Sequence, residues 1–302
     1  MTITEKIMAF NSGRDKVVSG ELVWVDVHTV MTMDYLGKQT FTQLHNLGVT
    51  DVFDKNRVIC VSDHLIPPPT EQFATMLNQW REVVKEHNIT NFYDLGRQGI
   101  AHQIMVEQGH VLPGKISIGT DSHANIYGAV GAVGNAVGVT DAAVAMATGK
   151  AWFCVPESVK FNIIGEWQPF VMAKAFVGTC TNGRVEDFEI MAKILRGKKI
   201  HKDVNMICVP ASQDVYLEAM EKGYLATLVR AGAAIDTPSC AACAGIHTGV
   251  AGDGDIVLSA GNRNMKGRMG SKNAQIYLTS PAVVAASAIR GEITDPREVG
   301  TY

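Results

Sequence analysis

The chain contains no run of eighteen or more apolar residues, so nothing in it has the length of a bilayer-spanning helix. No block of Lys and Arg runs beyond a few residues, and the net charge is −3. A nucleic-acid or anionic-membrane surface is therefore not expected. The opening MTITEKIMAFNSGRDKVVSG mixes charges and lacks the apolar centre of a secretion signal. The six cysteines are too unevenly spread for a disulfide framework, which fits a reducing, cytoplasmic setting with thiols used for metal or catalysis. No repeat at a solenoid period occurs. The glycines of GAVGAVGNAVG are spaced 3, 3 and 4, which is not the dinucleotide-binding pattern.

What is present is a compact globular composition: 302 residues, 46% hydrophobic and 19% charged. This length predicts about two domains. Alternation and short apolar runs predict strands at Glu21–Val30, Val58–Val61, Asn91–Leu95, Lys115–Gly119, Val159–Ile164, Ala175–Gly178, Met206–Val209 and Ile256–Ser259. Helical spacing predicts helices at Thr2–Phe10, Thr70–His87, Val185–Arg196, Ala211–Lys222, Leu225–Ala231 and Ser280–Arg290. The Gly/Ala-rich stretch Ala124–Trp152 reads as helices packed closely through small residues. Gly165–Phe170 reads as a connector, and the domain boundary is expected near residues 165–172. Polar and ionisable residues repeatedly follow a predicted strand, which is where parallel α/β sheets assemble their sites.

Cys180 lies in G-T-C-T-N-G-R, residues 178–184, while Cys240 and Cys243 form C-A-A-C. Three thiols in small, Gly-flanked loops after strands fit an iron–sulfur cluster with one iron left open to substrate. Zinc is the alternative, with His247 as fourth ligand, and plain buried thiols are the other. Cys60, Cys154 and Cys208 sit in apolar strand-like contexts and read as core. Asp63-His64, His102 and Asp121-Ser122-His123 form a candidate acid–base group at successive strand ends. Neighbours on a strand face opposite ways, so Asp63 and His64 are not expected to pair merely by adjacency. Arg263 and Arg268, in N-R-N-M-K-G-R, offer guanidinium forks suited to carboxylates.

Together these blocks resemble the aconitase superfamily, most closely the large subunits of 3-isopropylmalate dehydratase and homoaconitase. The matching runs are T-I-T-E-K-I, S-D-H-L-I-P-P (62–68), G-I-A-H-Q-I (99–104), D-S-H (121–123), G-T-C-T-N-G-R (178–184), C-A-A-C-A-G (240–245) and N-R-N-M-K-G-R (262–268). The resemblance implies two α/β domains with mostly parallel sheets, at 1–168 and 169–302, and an active site in the cleft between them. It implies a [4Fe–4S] cluster on Cys180, Cys240 and Cys243. Asp63, His64, His102, Asp121 and His123 would surround substrate and iron-bound water, with His64, paired to a carboxylate, donating a proton to the leaving hydroxyl. Ser122, Asn262, Arg263 and Arg268 would bind substrate or support the site. The implied reaction is elimination and re-addition of water on a small hydroxy di- or tricarboxylic acid.

The chain also departs from the family pattern. Only Gly165–Val177 stands where family large subunits carry a further domain of more than a hundred residues, and with it an acidic residue and an amide near the open iron. T-M-D, with Met33, replaces the usual T-H-D. C-A-A-C replaces C-G-P-C, and A-N-I-Y follows D-S-H. The family's swivelling domain, whose serine is the base, is expected on a separate small subunit. Two functions are thus in view: a compact hydro-lyase large subunit, or a shortened cluster-binding protein without turnover. A zinc-dependent hydrolase is a third.

Overall fold

A computed structural model describes residues 1–160, 162 and 171–300. The chain packs as two compact units, Met1–Leu95 with Ala101–Ile164, and Gly96–Ile100 with Gly165–Tyr302.

The first unit is built on a five-stranded sheet of β2 (Thr29–Met33), β3 (Val58–Val61), β4 (Phe92–Tyr93), β5 (Ile116–Gly119) and β6 (Val133–Ala136). Its spatial order is β4-β3-β2-β5-β6, and every pairing is parallel. Every residue of β2, β3 and β5 is buried, as expected where both faces of a parallel sheet are covered. One face presents Val30, Val58, Cys60, Ile116 and Ile118 to a core shared with Phe41 and Leu44 of α2 (Gly37–Asn46) and Leu77, Trp80 and Val84 of α3 (Glu71–Glu86). Ala142, Ala143, Ala145 and Met146 of α5 (Val139–Thr148) complete that core. The other face presents Met31, Met33, Ile59 and Val61 to α4 (Ala101–Glu107) and the 3-10 turn Ala124–Val130. A separate antiparallel ribbon pairs β1 (Leu22–Asp26) with β7 (Lys150–Cys154).

The second unit repeats the plan. Its strands are β8 (Lys174–Val177), β9 (Asn205–Cys208), β10 (Ala234–Ile235), β11 (Ile256–Ser259) and β12 (Gln275–Leu278), in the order β10-β9-β8-β11-β12, all parallel. Helices α6 (Val185–Leu195), α8 (Tyr224–Ala231) and α9 (Pro281–Arg290) pack over Ala175, Val177, Met206, Cys208 and Leu258. On the opposite face Phe176, Val257 and Ile276 meet Ala241, Ala242, Cys243, Ala251 and Met269. Each sheet thus runs in the sequence third-second-first-fourth-fifth strand. The topological switch lies between β2 and β5 in one unit, and between β8 and β11 in the other.

Local chemistry accounts for most element ends. Thr2 and Glu5 close a capping box on α1 (Ile3–Asn11), and Thr70 caps α3 through a bond from the Phe73 N–H. Several expectations need correction. Glu21–Val30 is two strands, because the chain leaves the ribbon at Val27-His28 and enters the main sheet. Ala124–Trp152 is helical at the 3-10 turn Ala124–Val130 and at α5, whose alanines pack into the core as expected, but β6 and the start of β7 also lie within it. There Gly134 lets the β6 backbone pass close to the Ala124 carbonyl, which a Cβ would meet at 2.0 Å. His102 sits in helix α4 rather than at a strand end, and α2 carried no recognisable start signal, having no side-chain cap. Ile3 is exposed, not part of the buried stripe of α1. Cys60 and Cys208 are buried as expected, but Cys154 is exposed on β7. Of the strand expected at Val159–Ile164 only Val159, Lys160 and Asn162 are described, outside any strand, and the connector Gly165–Phe170 lies outside the described residues.

Gly37 opens α2 against the fully buried Trp80 ring, which a Cβ there would meet at 2.1 Å. Gly37→Ala therefore overpacks the first unit's core. Urea unfolding followed by fluorescence should show a loss of about 1–3 kcal/mol.

Candidate active-site residues

Three neighbouring strands of the first unit end in acid–base residues: Asp34 after β2, Asp63-His64 after β3, and Asp121-Ser122-His123 after β5. Helix α4 adds His102 from the covering layer. Asp121 is the hub. Its Oδ1 lies 2.7 Å from His102 Nε2 and 3.2 Å from His123 Nδ1, and it accepts the His123 backbone N–H at 2.7 Å. Its Oδ2 is 3.8 Å from His64 Nε2. His102 Nδ1 in turn meets the Tyr127 hydroxyl at 3.0 Å. Burial opposes charge on Asp121, yet the imidazoles of His102, His123 and His64 hold its pKa far below the ordinary carboxylate range.

An ionised carboxylate only accepts, so His102 Nε2 and His123 Nδ1 are its donors. His123 Nε2 is left buried with no partner among the described residues. With Nδ1 donating to Asp121, Nε2 is the ring's free acceptor position.

Asp63 and His64 do pair, at 2.5 Å between Oδ1 and Nδ1, contrary to the strand-based expectation. They lie in the turn after β3 rather than within it, so the alternation of a strand no longer separates them. Asp63 Oδ2 also accepts the Ala101 N–H at 3.0 Å, anchoring the start of α4. Burial lowers the tendency of His64 to ionise. The charge and hydrogen bond of Asp63, with Asp34 and Asp121 nearby, outweigh it and raise the pKa to about 9. His64 is thus an imidazolium at neutral pH, an acid rather than a base.

Asp34 and Tyr127 belong to this array, and sequence reasoning passed over both. Asp34 is buried and accepts the backbone N–H groups of His64 at 3.3 Å and Leu65 at 2.8 Å. Burial and the Asp63 charge raise its pKa to about 7. The available signal was T-M-D itself, an acid directly after a strand. Reading β1 and β2 as one strand ending at Val30 hid it. Ser122, expected to line the site, is exposed.

In the second unit the thiols sit on two tight turns. Cys180 follows β8, preceded by Gly178 and by Thr179, a β-branched residue at φ 108°. Cys240 and Cys243 bracket a 3-10 turn in which Ala241 is at φ 41°. Two of the three non-glycine residues with positive φ among those described therefore adjoin these cysteines, and such backbone strain persists only where surroundings impose it. Asn182 Nδ2 donates to the Ala260 carbonyl at 2.5 Å, tying the Cys180 turn to the end of β11. A Cβ on Gly245, at φ 69°, would meet the Arg268 carbonyl at 2.7 Å, so the Cys243 turn lies directly on the arginine loop. Cys180 and Cys243 are buried and Cys240 is half-buried. Asn262 and Arg263, just past β11, and Arg268 are half-buried. The Ser239 Oγ, Asn262 Oδ1 and Arg268 Nε atoms are buried without partners among the described residues. Three soft donors on strained turns, with an unsatisfied Ser239 hydroxyl next to Cys240, fit an inorganic cluster bound by thiolates.

Parallel sheets with acid–base side chains after strands of one unit, and thiols and arginines after strands of the other, carry the residue types of a hydro-lyase on an α/β scaffold. The chain belongs to the aconitase family (aconitate hydratase), whose model matches residues 5–175 and 172–291. It is similar to the 3-isopropylmalate dehydratase large subunit of Caldanaerobacter subterraneus subsp. tengcongensis, 33% identical and covering 99% of both chains. It is also similar to that of Herpetosiphon aurantiacus, 34% identical over 99% of this chain and 97% of the relative. The probable 3-isopropylmalate dehydratase large subunit of Methanothermobacter thermautotrophicus is 30% identical, covering 98% and 99%. The first alignment runs over 416 positions against 302 residues here, so more than a hundred positions have no counterpart in this chain. In fold, the chain resembles Thermococcus kodakaraensis aconitase X, with a TM-score of 0.51 at 10% identity over 95% of each chain. Among the described residues no helix is long and apolar enough to cross a membrane.

These shifts give stability a pH dependence. The folded pKa of His64, about 9, lies above its ordinary 6.5. Its contribution is complete below 6.5 and lost as pH rises through 9. Asp34, raised from 3.8 to about 7, acts in the same direction at lower pH. Asp121 is depressed, so its contribution is lost only on acidification. Urea midpoints should fall between pH 6.5 and 9, by up to about 3 kcal/mol for His64, and His64→Gln should flatten that decline.

Proposed function

We propose that this chain is the large, catalytic subunit of a [4Fe–4S]-dependent hydro-lyase acting on a small hydroxy di- or tricarboxylic acid, in the manner of 3-isopropylmalate dehydratase. The observation that carries the reading is His64: it is held as an acid by Asp63 in a chain that matches the large subunits of such enzymes from end to end.

Cys180, Cys240 and Cys243 would hold the cluster. When bound, it supplies an open iron that polarises the substrate's C–O bond as a Lewis acid. His64 donates its Nε2 proton to the departing hydroxyl, which leaves as water, while Asp63 retains the Nδ1 proton and steadies the ring. Asp121 keeps His102 and His123 in one tautomer each, with His123 Nε2 available to hydrogen-bond the released water. Arg263 and Arg268 grip substrate carboxylates through paired N–H groups, and Asn262 supports the loop that bears them. Breaking the C–O bond to form the alkene also requires a base to remove the proton alpha to a carboxylate. In this reading the base comes from a separate small subunit, a partner whose existence the large-subunit names of the relatives imply.

One observation favours a second reading, a cluster-binding protein without turnover: the gap of more than a hundred positions against the relatives. Anaerobic co-expression with a candidate small subunit, followed by alkene absorbance on a panel of hydroxy-diacids, separates the two. Purified anaerobically, the protein should be brown and iron-loaded, and Cys180→Ser should lose iron and colour. His64→Gln should keep both while turnover falls by about 10²–10⁴-fold. Colourless, iron-free protein after anaerobic reconstitution overturns the cluster assignment. Iron-loaded protein without turnover supports the second reading.

A further inference from the structure

The β1–β7 ribbon is amphipathic. Val23 and Val25 of β1, with Ala151 and Phe153 of β7, turn into the first unit's core. The opposite face carries Leu22, Trp24 and Asp26 from β1 and Lys150, Trp152 and Cys154 from β7, all exposed. Their register is direct: Leu22 stands opposite Cys154, Trp24 opposite Trp152, and Asp26 opposite Lys150. Leu22 is 65% exposed, Trp24 59% and Trp152 54%. Side chains of this size leave on the order of 300–400 Å² of apolar surface in one patch, a size that marks an interaction site rather than scattered exposure. At one end the patch closes with the Asp26–Lys150 ion pair, 3.3 Å apart.

This face is complementary to itself. A two-fold axis running along the strands lays β1 of one copy over β7 of another. Trp24 then faces the second copy's Trp152, Leu22 faces its Cys154, and Asp26 faces its Lys150. Both ion pairs form at once, as an isologous interface requires, and apolar residues meet only apolar residues or the thiol. We propose that this ribbon face docks a second copy of the chain, forming a two-fold dimer with the two tryptophan pairs at its centre. The patch alone is below the area of a standard interface, about 800 Å² per partner. The association is accordingly concentration-dependent rather than obligate.

Charge exchange provides the test. Asp26→Lys places lysine opposite lysine in a dimer of that variant, and Lys150→Asp places aspartate opposite aspartate. Sedimentation velocity should show wild type moving to dimer mass as concentration rises, with each variant remaining at monomer mass. Mixing the two variants in equal amounts should restore the dimer, because every cross-copy pair is then opposite in sign. That restoration cannot come from the ion pair within a single chain, which is broken in both variants. Circular dichroism matching wild type verifies that each variant is folded. The proposal is overturned if wild type stays monomeric at the highest soluble concentration, if either variant dimerises as wild type does, or if the mixture stays monomeric. Monomeric wild type whose tryptophans are shielded only by a different protein assigns the face to that partner instead.

Discussion

A single buried carboxylate holds the chemistry of the first unit in register. Removing Asp121 from water costs several kcal/mol unless donors replace the lost hydration, and the donors here are two imidazoles and a backbone N–H. Because Asp121 stays ionised, it fixes which ring nitrogen of His102 and of His123 bears hydrogen. That choice leaves His102 Nδ1 to Tyr127 and leaves His123 Nε2 unsatisfied. It also contributes, after Asp63 and Asp34, to keeping His64 charged. Acid, tautomers and an orphaned acceptor all follow from one charge that the fold had to stabilise.

The fold supplies that charge with partners through a repeated plan. Both sheets place their first strand at the centre and reverse direction beside it, so loops leaving adjacent strands diverge at one point. In the first unit Asp34 leaves β2 and Asp121 leaves β5 there, and Asp63 follows β3, the next strand over. In the second, Cys180 leaves β8 and Asn262 leaves β11 beside it. Each sheet also has one face covered by long helices and the other by the functional segments: α4 and the turn after His123 in one unit, the Cys240–Cys243 turn and the arginine loop in the other. The packing that buries these faces therefore also positions the reactive side chains. Ile104, Tyr127 and Met269 are buried in these faces.

Much of this was legible in the sequence because strand ends announce themselves. Val58–Val61 followed by Asp63-His64, and Ile116–Gly119 followed by Asp121 and His123, need only a short apolar run and a polar stop. The two parallel α/β layers follow from the same runs. What stayed hidden depended on tertiary placement. Asp34 was lost because β1 and β2 are separated only by Val27-His28, and alternation carries through the break. Tyr127 was absorbed into a Gly/Ala-rich stretch whose small residues serve helix packing at α5 and close backbone passage at β6. Met33, standing where relatives were expected to carry histidine, proved to be a buried core residue on the face beneath α4. Ser122 has its neighbours' spacing but an exposed position.

The six cysteines fall into two structural settings that composition alone could not separate. Cys60 and Cys208 lie within strands, where burial raises both thiols, Cys208 to about 12, so they remain protonated and inert. Cys180, Cys240 and Cys243 lie on turns whose backbone departs from comfortable conformations at Thr179 and Ala241. A strained residue costs of order 1–3 kcal/mol. Nothing in the sheets' own packing requires that cost. The turns keep it because Asn182 is bonded to Ala260, Gly183 sits against the Val209 carbonyl, and Gly245 lies on the Arg268 backbone. Those contacts hold the sulfur-bearing turns in shape before any ligand arrives. A thiol trio serving only as core would need none of them, since a cysteine in a strand is buried without strain, as Cys60 and Cys208 are.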